Sequence, residues 1–179
     1  RYDDELVHAL QTASWYGDYL HEQAMHAEAL ENADMPPPPM PATAQYELAR
    51  SRLHPIRALT SGAEVIAPAP FYAGGRWRYT ARSAWWQNHH DTPAVLFGHY
   101  WRRWNPPPVD PTRENLMPPQ NNAWHGAVHN VFCIDYSVGA RWRDRKAGIA
   151  PAHSEFRLAA MRWPERVLVF DDGETAATV

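Results

Sequence analysis

The first third of the chain spaces its apolar residues as a helix does. Between residues 3 and 32 they recur at steps of three and four, which predicts helix with a break into two segments at Gly17. The run MPPPPMP at 35–41 predicts a polyproline-like connector, because proline neither continues a helix nor pairs within a sheet. A further short helix is predicted for about 43–54, and it must end before Pro55.

Residues that favour β-structure replace this spacing in the remaining two thirds of the chain. A hairpin is predicted around the Gly-Gly turn at 74–75, and a short buried strand is predicted within AVLFGHYW at 94–101. A long proline-rich loop at 105–126 follows. The C-terminal third predicts three strands, in VFCIDYSV, SEFRLAAMRW and RVLVFDD, and a tight turn at 163–166 joins the last two.

Helices therefore come first and a β-meander comes last. This order predicts an α/β fold in which one helical layer covers a sheet, or which forms half of a larger sandwich. With 179 residues, of which 45% are hydrophobic and 21% charged, the chain fits one globular domain of ordinary size.

Composition excludes several kinds of protein. The single cysteine, Cys133, excludes an internal disulfide and favours a reducing cytoplasm, and its apolar neighbours predict a buried, inert thiol. No apolar run is long enough to cross a bilayer, so no membrane partner is expected. A net charge of −3 argues against nucleic acid as the primary partner. The chain opens at Arg1 on a helical pattern without a methionine, from which we expect a fragment or a processed product.

The pair Gly98-His99 is the first candidate site. His99 would stand at the end of the predicted strand, where a sheet can present an imidazole rigidly to a ligand. Gly98 would let the backbone turn sharply or let a ligand approach closely. From composition alone, the other interpretation of His99 is a histidine in the core or at its rim, with a hydrogen-bonded tip.

Basic residues nearby offer further candidates. Arg102 and Arg103 follow the histidine, and a guanidinium can bind phosphate with two hydrogen bonds, so one of them is a candidate substrate contact. The structural alternative is an arginine stem packed on a tryptophan face. His125 and His129 have the spacing that binds zinc on a helix, but Gly126 and the surrounding loop composition favour ordinary loop or surface histidines.

Three ordered segments resemble bacterial metallophosphoesterases of the calcineurin-like superfamily, which are often labelled serine/threonine protein phosphatases. They are LTSGAEVIAPAPFYAGGRWRYTARSAWW, PAVLFGHYWRR and NVFCIDYSVG, and the later FRLAAMRW is similar to a closing strand of that family. The similarity covers roughly residues 57–172. It implies that His99 binds one of two metals and that Arg102, rather than Arg103, contacts the substrate. Asp135 either orients His99 through a hydrogen bond or accepts hydrogen bonds in the turn that ends its strand.

The resemblance also implies what this chain does not contain. The superfamily carries an Asp-x-His, a Gly-Asp-x-x-Asp, a Gly-Asn-His-Asp/Glu and a further His ahead of this region, and none of these occurs here in order. The sequence QNHHD at 87–91 lacks the glycine and lies too close to Gly98. The chain therefore resembles the C-terminal part of a four-layer α/β/β/α sandwich. Residues 1–56 would be a helical cap or insertion with the proline-rich connector, and residues 57–179 the β-rich half.

The implied function is hydrolysis of a phosphate mono- or diester, in a phosphoprotein or a nucleotide, by a water that two divalent metal ions (Mn, Fe or Zn) activate. The intact protein is expected to be a cytoplasmic metallophosphatase. The isolated chain is expected to be inactive unless a missing N-terminal segment or a second chain completes the site. One alternative is a binding or structural module that keeps the fold without the metal site. Another is RNA binding through a tryptophan and arginine surface, which the acidic balance disfavours.

Overall fold

The computed structural model describes residues 2–105, 116–117 and 120–179. The chain divides into two compact units, one that ends at Ser83 and one that begins at Ala84. Each unit has a hydrophobic core of its own.

In the described part of the first unit the chain forms five helices. They are α1 (Tyr2–Gln11), α2 (Tyr16–Met25), α3 (Ala27–Glu31), α4 (Pro41–Leu53) and α5 (Pro55–Ser61). The helical spacing predicted between residues 3 and 32 is confirmed, although it gives three helices instead of two. Gly17 lies inside α2 and does not end it, because a glycine within a helix costs only about 0.5–1 kcal/mol.

The proline run leads directly into α4. The chain is irregular up to Met40, and Pro41 occupies the first position of the helix, where its missing N–H is not needed. Glu22 of α2 caps this helix from outside: its carboxylate accepts the N–H of Ala42 at 3.1 Å and the N–H of Thr43 at 2.7 Å. A negative charge at a helix N-terminus also interacts favourably with the helix dipole.

The predicted hairpin is formed by β1 (Glu64–Ala73) and β2 (Arg76–Arg82), which pair antiparallel on either side of the Gly-Gly turn. Both turn glycines have left-handed φ values, 63° and 80°, which glycine adopts without a steric cost. The register shifts between Ile66 and Phe71, so β1 bulges away from β2 opposite Tyr79.

Glu47 of α4 accepts hydrogen bonds from the backbone of β2 at this bulge. Its Oε2 accepts the N–H of Tyr79 at 2.9 Å and the N–H of Thr80 at 3.2 Å. Buried backbone donors need such a partner, because leaving one unsatisfied is costly. The same stretch of β2 forms the core of this unit, in which the side chains of Trp77 and Tyr79 pack against Met40.

The residues that the structure describes in the second unit form two separate sheets and a short helix. Its elements are β3 (Val95–Phe97), β4 (Val131–Cys133), α6 (Arg141–Lys146), β5 (Ala159–Arg162), β6 (Val167–Phe170) and β7 (Thr175–Ala177). Strands β5, β6 and β7 form an antiparallel sheet in that order, with the predicted turn between β5 and β6. The prediction that β4 belongs to the same meander is wrong: it pairs parallel with β3, with Val95 opposite Val131.

The side chains of β4 explain this pairing. Val131, Phe132 and Cys133 are all completely buried, and a strand that is apolar on both faces is typical of parallel pairing. Phe132 packs into one cluster and its two neighbours into another, so β4 separates two parts of the core. The first cluster holds Trp124, Tyr136, Leu168 and Phe170, and the second holds Trp86 and Met117. The predicted burial of the Cys133 thiol is confirmed.

The fold is mixed α/β, which confirms the predicted class at that level. The predicted boundary after residue 56 falls inside the first unit, within α5, because the β1–β2 hairpin packs on α4. Most of the predicted loop at 105–126 lies outside the described residues. Among the helices that the structure describes, none is long and apolar enough to span a membrane.

Candidate functional site

Two parallel strands bring the candidate site residues together. Strands β3 and β4 run in the same direction with Phe97 opposite Cys133, so their carboxyl ends meet at one edge. His99 lies two residues beyond β3, and Asp135 lies two residues beyond β4. Loops at the carboxyl ends of parallel strands are where α/β proteins usually place their ligand-binding residues.

The carboxylate of Asp135 forms hydrogen bonds with the loop after β3 and with the loop after β4. Its Oδ2 accepts the N–H of His99 at 2.7 Å, and its Oδ1 accepts the N–H of Ser137 at 2.8 Å. The Asp135 carbonyl accepts the N–H of Arg102 at 3.1 Å, and the Ser137 hydroxyl donates to the Arg102 carbonyl at 2.8 Å. Asp135 is therefore an acceptor in the turn after its strand, and it also fixes the main chain of His99.

Three residues at this edge hold a left-handed backbone that side chains disfavour. The φ angle is 70° at His99, 52° at Trp101 and 61° at Ser137. Each such residue costs on the order of 1–3 kcal/mol, and strain of this kind concentrates at binding and catalytic sites. His99 is exposed, so its side chain is not packed in the core.

Gly98, for which we predicted either a sharp turn or a close approach by a ligand, does not have a left-handed backbone. The left-handed residue is His99, and Gly98 is not among the glycines with positive φ. A Cβ atom at Gly98 would lie 3.6 Å from the Cβ of Asp135, which is an ordinary contact. The neighbour that lies close to Gly98 is thus Asp135, whose carboxylate reaches the next residue along the chain.

Arg102 is buried, and its guanidinium donates hydrogen bonds to carbonyl groups of the chain. The residue is 6% exposed, and it donates from Nη1 to the Cys133 carbonyl at 3.2 Å and from Nη2 to the Gln120 carbonyl at 3.0 Å. The guanidinium carbon lies 5.9 Å and 5.6 Å from the ring centroids of Phe132 and Tyr136. This geometry gives Arg102 a structural role. Its contact with substrate stays a prediction that the geometry does not support.

Arg103 and Trp101 flank Arg102 and are more exposed. The Nη1 of Arg103 lies 2.9 Å from the Oε2 of Glu155. Trp101 is 64% exposed, and its ring centroid lies 6.3 Å from that of His99 in an edge-on arrangement. The edge thus combines an imidazole with a large aromatic surface, which can supply contact area to a ligand.

We predicted that His125 and His129 do not lie on a helix, and the structure confirms this. His125 forms a bridge with Val131, with N–H to carbonyl distances of 2.7 Å and 3.1 Å, and residues 126–129 form the turn between them. His129 is exposed at a φ of 51°. The helical spacing that binds zinc is therefore absent at this pair.

No pattern in the sequence indicated that His125 is buried. It is 7% exposed, and the Trp86 ring, whose centroid lies 5.8 Å away, comes from a distant part of the chain. Burial, together with the positive charge of Arg102, lowers the pKa of His125 to about 4. The lowered pKa favours the neutral imidazole at pH 7, and among the described residues its Nε2 has no hydrogen-bond partner.

The described residues do not by themselves form a metal centre. They contain no group of three or more His, Cys, Asp or Glu side chains placed to hold a metal ion. His99 offers one imidazole, and both carboxylate oxygens of Asp135 already accept backbone N–H groups. A dinuclear site needs several more ligands. Such a site would require ligands from outside the described residues.

A concavity of about 420 Å³ also lies in the second unit, and its charges are paired. Arg141 pairs with Asp171, and Arg157 pairs with both Asp172 and Glu174. The hydrogen bond from Arg141 is the main reason why the pKa of Asp171 lies below its ordinary value. Carboxylates already neutralise these arginines, so this concavity is a poor candidate for binding an anion.

Comparison of the chain with protein-family models, with curated proteins and with solved structures found no match in any of the three. The interpretation of this site therefore depends on its own geometry. That geometry is an exposed, strained histidine at the carboxyl edge of a parallel strand pair, fixed through its main chain by a carboxylate.

Proposed function

We propose that this chain is the C-terminal part of a metal-dependent phosphoesterase and that His99 is one of its metal ligands. The observation that carries the proposal is the exposed His99, held with a left-handed backbone by Asp135 at the carboxyl edge of β3 and β4. Such strain lowers stability and is found mainly where a site requires the geometry. The substrate is a phosphate mono- or diester, in a phosphoprotein or a nucleotide.

The proposal includes a larger architecture. Strands β3 and β4 would belong to a four-layer α/β/β/α sandwich, and the other metal ligands would come from another segment or a second chain. When bound, the two divalent ions (Mn, Fe or Zn) supply an activated water. The part of this chain is to present His99, to fix its main chain through Asp135, and to provide the Trp101 ring beside it.

A binding or structural module without a metal site is the second candidate. The observation that favours it is that the described residues hold no group of three potential ligands. Under this hypothesis Asp135 only stabilises a turn, and removal of the His99 imidazole leaves the function of the protein intact.

The test compares two histidine variants in the protein purified from its native cells, together with any segment or chain that accompanies it. His99→Ala and His129→Ala each remove an exposed histidine at a left-handed φ, so their effects on folding should be similar. The measurements are metal content and Mn²⁺-dependent hydrolysis of p-nitrophenyl phosphate. We expect His99→Ala to lower kcat more than about 100-fold, since even residues that only orient a ligand contribute about 10–100-fold. His129→Ala should retain the wild-type rate.

Full Mn²⁺-dependent turnover by His99→Ala would contradict the proposal. Native material that has the 20.5 kDa mass of one chain, binds no metal and hydrolyses no phosphate ester would favour the binding module instead.

A further inference from the structure

The first unit contains a cavity that the proposed function does not use. Its volume is about 230 Å³, and residues of α2, α4 and β2 form much of its wall. Six charged side chains line it: Arg50, Arg57, Arg76, Arg78, Glu47 and Glu64. Four arginines against two glutamates leave a surplus of two positive charges, although the whole chain is net negative.

The two glutamates are held by donors other than these arginines. The Oε2 of Glu47 accepts the N–H groups of Tyr79 and Thr80, and the Oε2 of Glu64 accepts the Thr80 hydroxyl at 2.8 Å. Within the part of the chain that the structure describes, neither carboxylate forms an ion pair with a lining arginine. The glutamates therefore reduce the positive charge of the cavity without occupying its guanidinium groups.

Most of the lining arginines have guanidinium N–H groups that form no hydrogen bond with the described residues. Among the described residues, the side chains of Arg50, Arg57 and Arg76 make no hydrogen bond and no ion pair. Arg78 donates from Nε to the Ala73 carbonyl at 3.2 Å. Burial lowers the pKa of Arg78, and the charge of Arg76 lowers it further, although the charges of Glu47 and Glu64 oppose this shift. An anion among these arginines would relieve their mutual repulsion.

Aromatic side chains form another part of the wall. Tyr19 and Tyr46 are stacked with ring centroids 4.0 Å apart and an interplanar angle of 5°. Trp77 is 9% exposed, and its Nε1 donates to the Asn32 carbonyl at 2.9 Å. These contacts hold the rings in place, so the cavity has a rigid apolar side beside its cationic one.

We propose that this cavity binds a small phosphate monoester through its arginines. Two surplus positive charges match the charge of a phosphate dianion, and guanidinium groups suit its oxygens in geometry. The cavity is smaller than the roughly 300–1,000 Å³ of pockets for drug-sized ligands, so it suits a compact ester whose organic part contacts the tyrosines. This site is independent of the proposed phosphoesterase chemistry, because it needs neither a metal nor His99.

The experiment measures binding of phenyl phosphate to the full chain by titration calorimetry, in EDTA so that metal-dependent hydrolysis does not interfere. Arg50→Gln and Arg52→Gln form a matched pair: both arginines are exposed in the last turn of α4, and only Arg50 lines the cavity. We expect Arg50→Gln to weaken binding about tenfold, as the loss of one charge-assisted hydrogen bond would. Arg52→Gln should bind like the wild type, and Arg57→Gln should weaken binding as Arg50→Gln does.

Three other ligand measurements test the chemistry of the site. Affinity for phenyl phosphate should fall as pH drops through about 6, where a phosphate monoester loses its second charge. Benzoate, with the same ring and one charge, and inorganic phosphate, with no ring, should both bind more weakly. The proposal is overturned if phenyl phosphate does not bind, if Arg50→Gln and Arg52→Gln have equal effects, or if either comparison ligand binds as tightly. None of these outcomes bears on the comparison of His99→Ala with His129→Ala.

Discussion

Arg102 and Arg103 are adjacent in the chain, yet their surroundings are opposite. Arg102 is buried and donates to the carbonyls of Gln120 and Cys133, whereas Arg103 forms a partly exposed ion pair with Glu155. Buried polar groups without a partner are costly, but an exposed ion pair contributes little. The sequence could not distinguish the two, because the partners of Arg102 lie 18 and 31 residues further along the chain.

We predict that Arg102→Met destabilises the protein far more than Arg103→Met does. Methionine keeps much of the apolar stem but removes the guanidinium donors of two carbonyls, so we expect a loss of about 2–3 kcal/mol in the free energy of unfolding. Arg103→Met should stay within about 1 kcal/mol of the wild type. Urea unfolding of the three proteins measures both values. Equal losses would show that the buried guanidinium is not what stabilises this loop.

At the scale of elements, the hairpin depends on a contact from a helix. Strand β1 bulges opposite Tyr79, and Glu47 of α4 accepts the N–H groups of Tyr79 and of the next residue, Thr80. Burial, and then the charge of Glu47, raises the pKa of Tyr79 to about 12. The hairpin and α4 should therefore lose stability together when this carboxylate is removed.

We predict that Glu47→Ala lowers the free energy of unfolding by about 1–3 kcal/mol, because it leaves donors on β2 unsatisfied. Glu47→Gln should cost less, since its amide oxygen can still accept a hydrogen bond. Glu31→Ala, at an exposed position on α3, is the control and should change little. Thermal or urea unfolding ranks the three variants, and a neutral Glu47→Ala would contradict this account of the bulge.

Short sequence patterns predicted most helices and strands. They did not predict which strands pair when those strands are far apart in the chain. The Gly-Gly turn correctly predicted the position of the hairpin, and the apolar run before Gly98 correctly predicted the position of β3. The partner of β4 was missed because Val95 and Val131 are 36 residues apart, and nothing in either strand specifies the other. Helix α6 and strand β7 were missed as well, since both are short and depend on their surroundings.

The overall composition of the chain does not reveal where its charges gather. The net charge of −3 gave no sign of a cavity with surplus positive charge, because its arginines are scattered from residue 50 to residue 78. These arginines line one cavity only because the hairpin packs on α4. The sequence predicted His99 at a strand end, and it lies two residues beyond β3, but its main chain is held by Asp135, which follows a different strand.

Global stability should depend on pH through His125. Its pKa is about 4 in the folded protein and near 6.5 when unfolded, so the unfolded state binds more protons between these values. Stability therefore falls as pH drops through this window, by about 2 kcal/mol between about pH 7 and pH 5. Urea unfolding at the two pH values should show a smaller loss for His125→Gln than for the wild type. Equal losses would mean that His125 does not carry this dependence.

The left-handed backbone at His99 has a consequence for how this position would evolve. Glycine and asparagine adopt such a φ more easily than histidine does, so selection for resistance to unfolding alone would enrich those two residues. Selection for an imidazole at the strand edge would oppose that change. At position 99, selection for stability and selection for an imidazole therefore favour different amino acids.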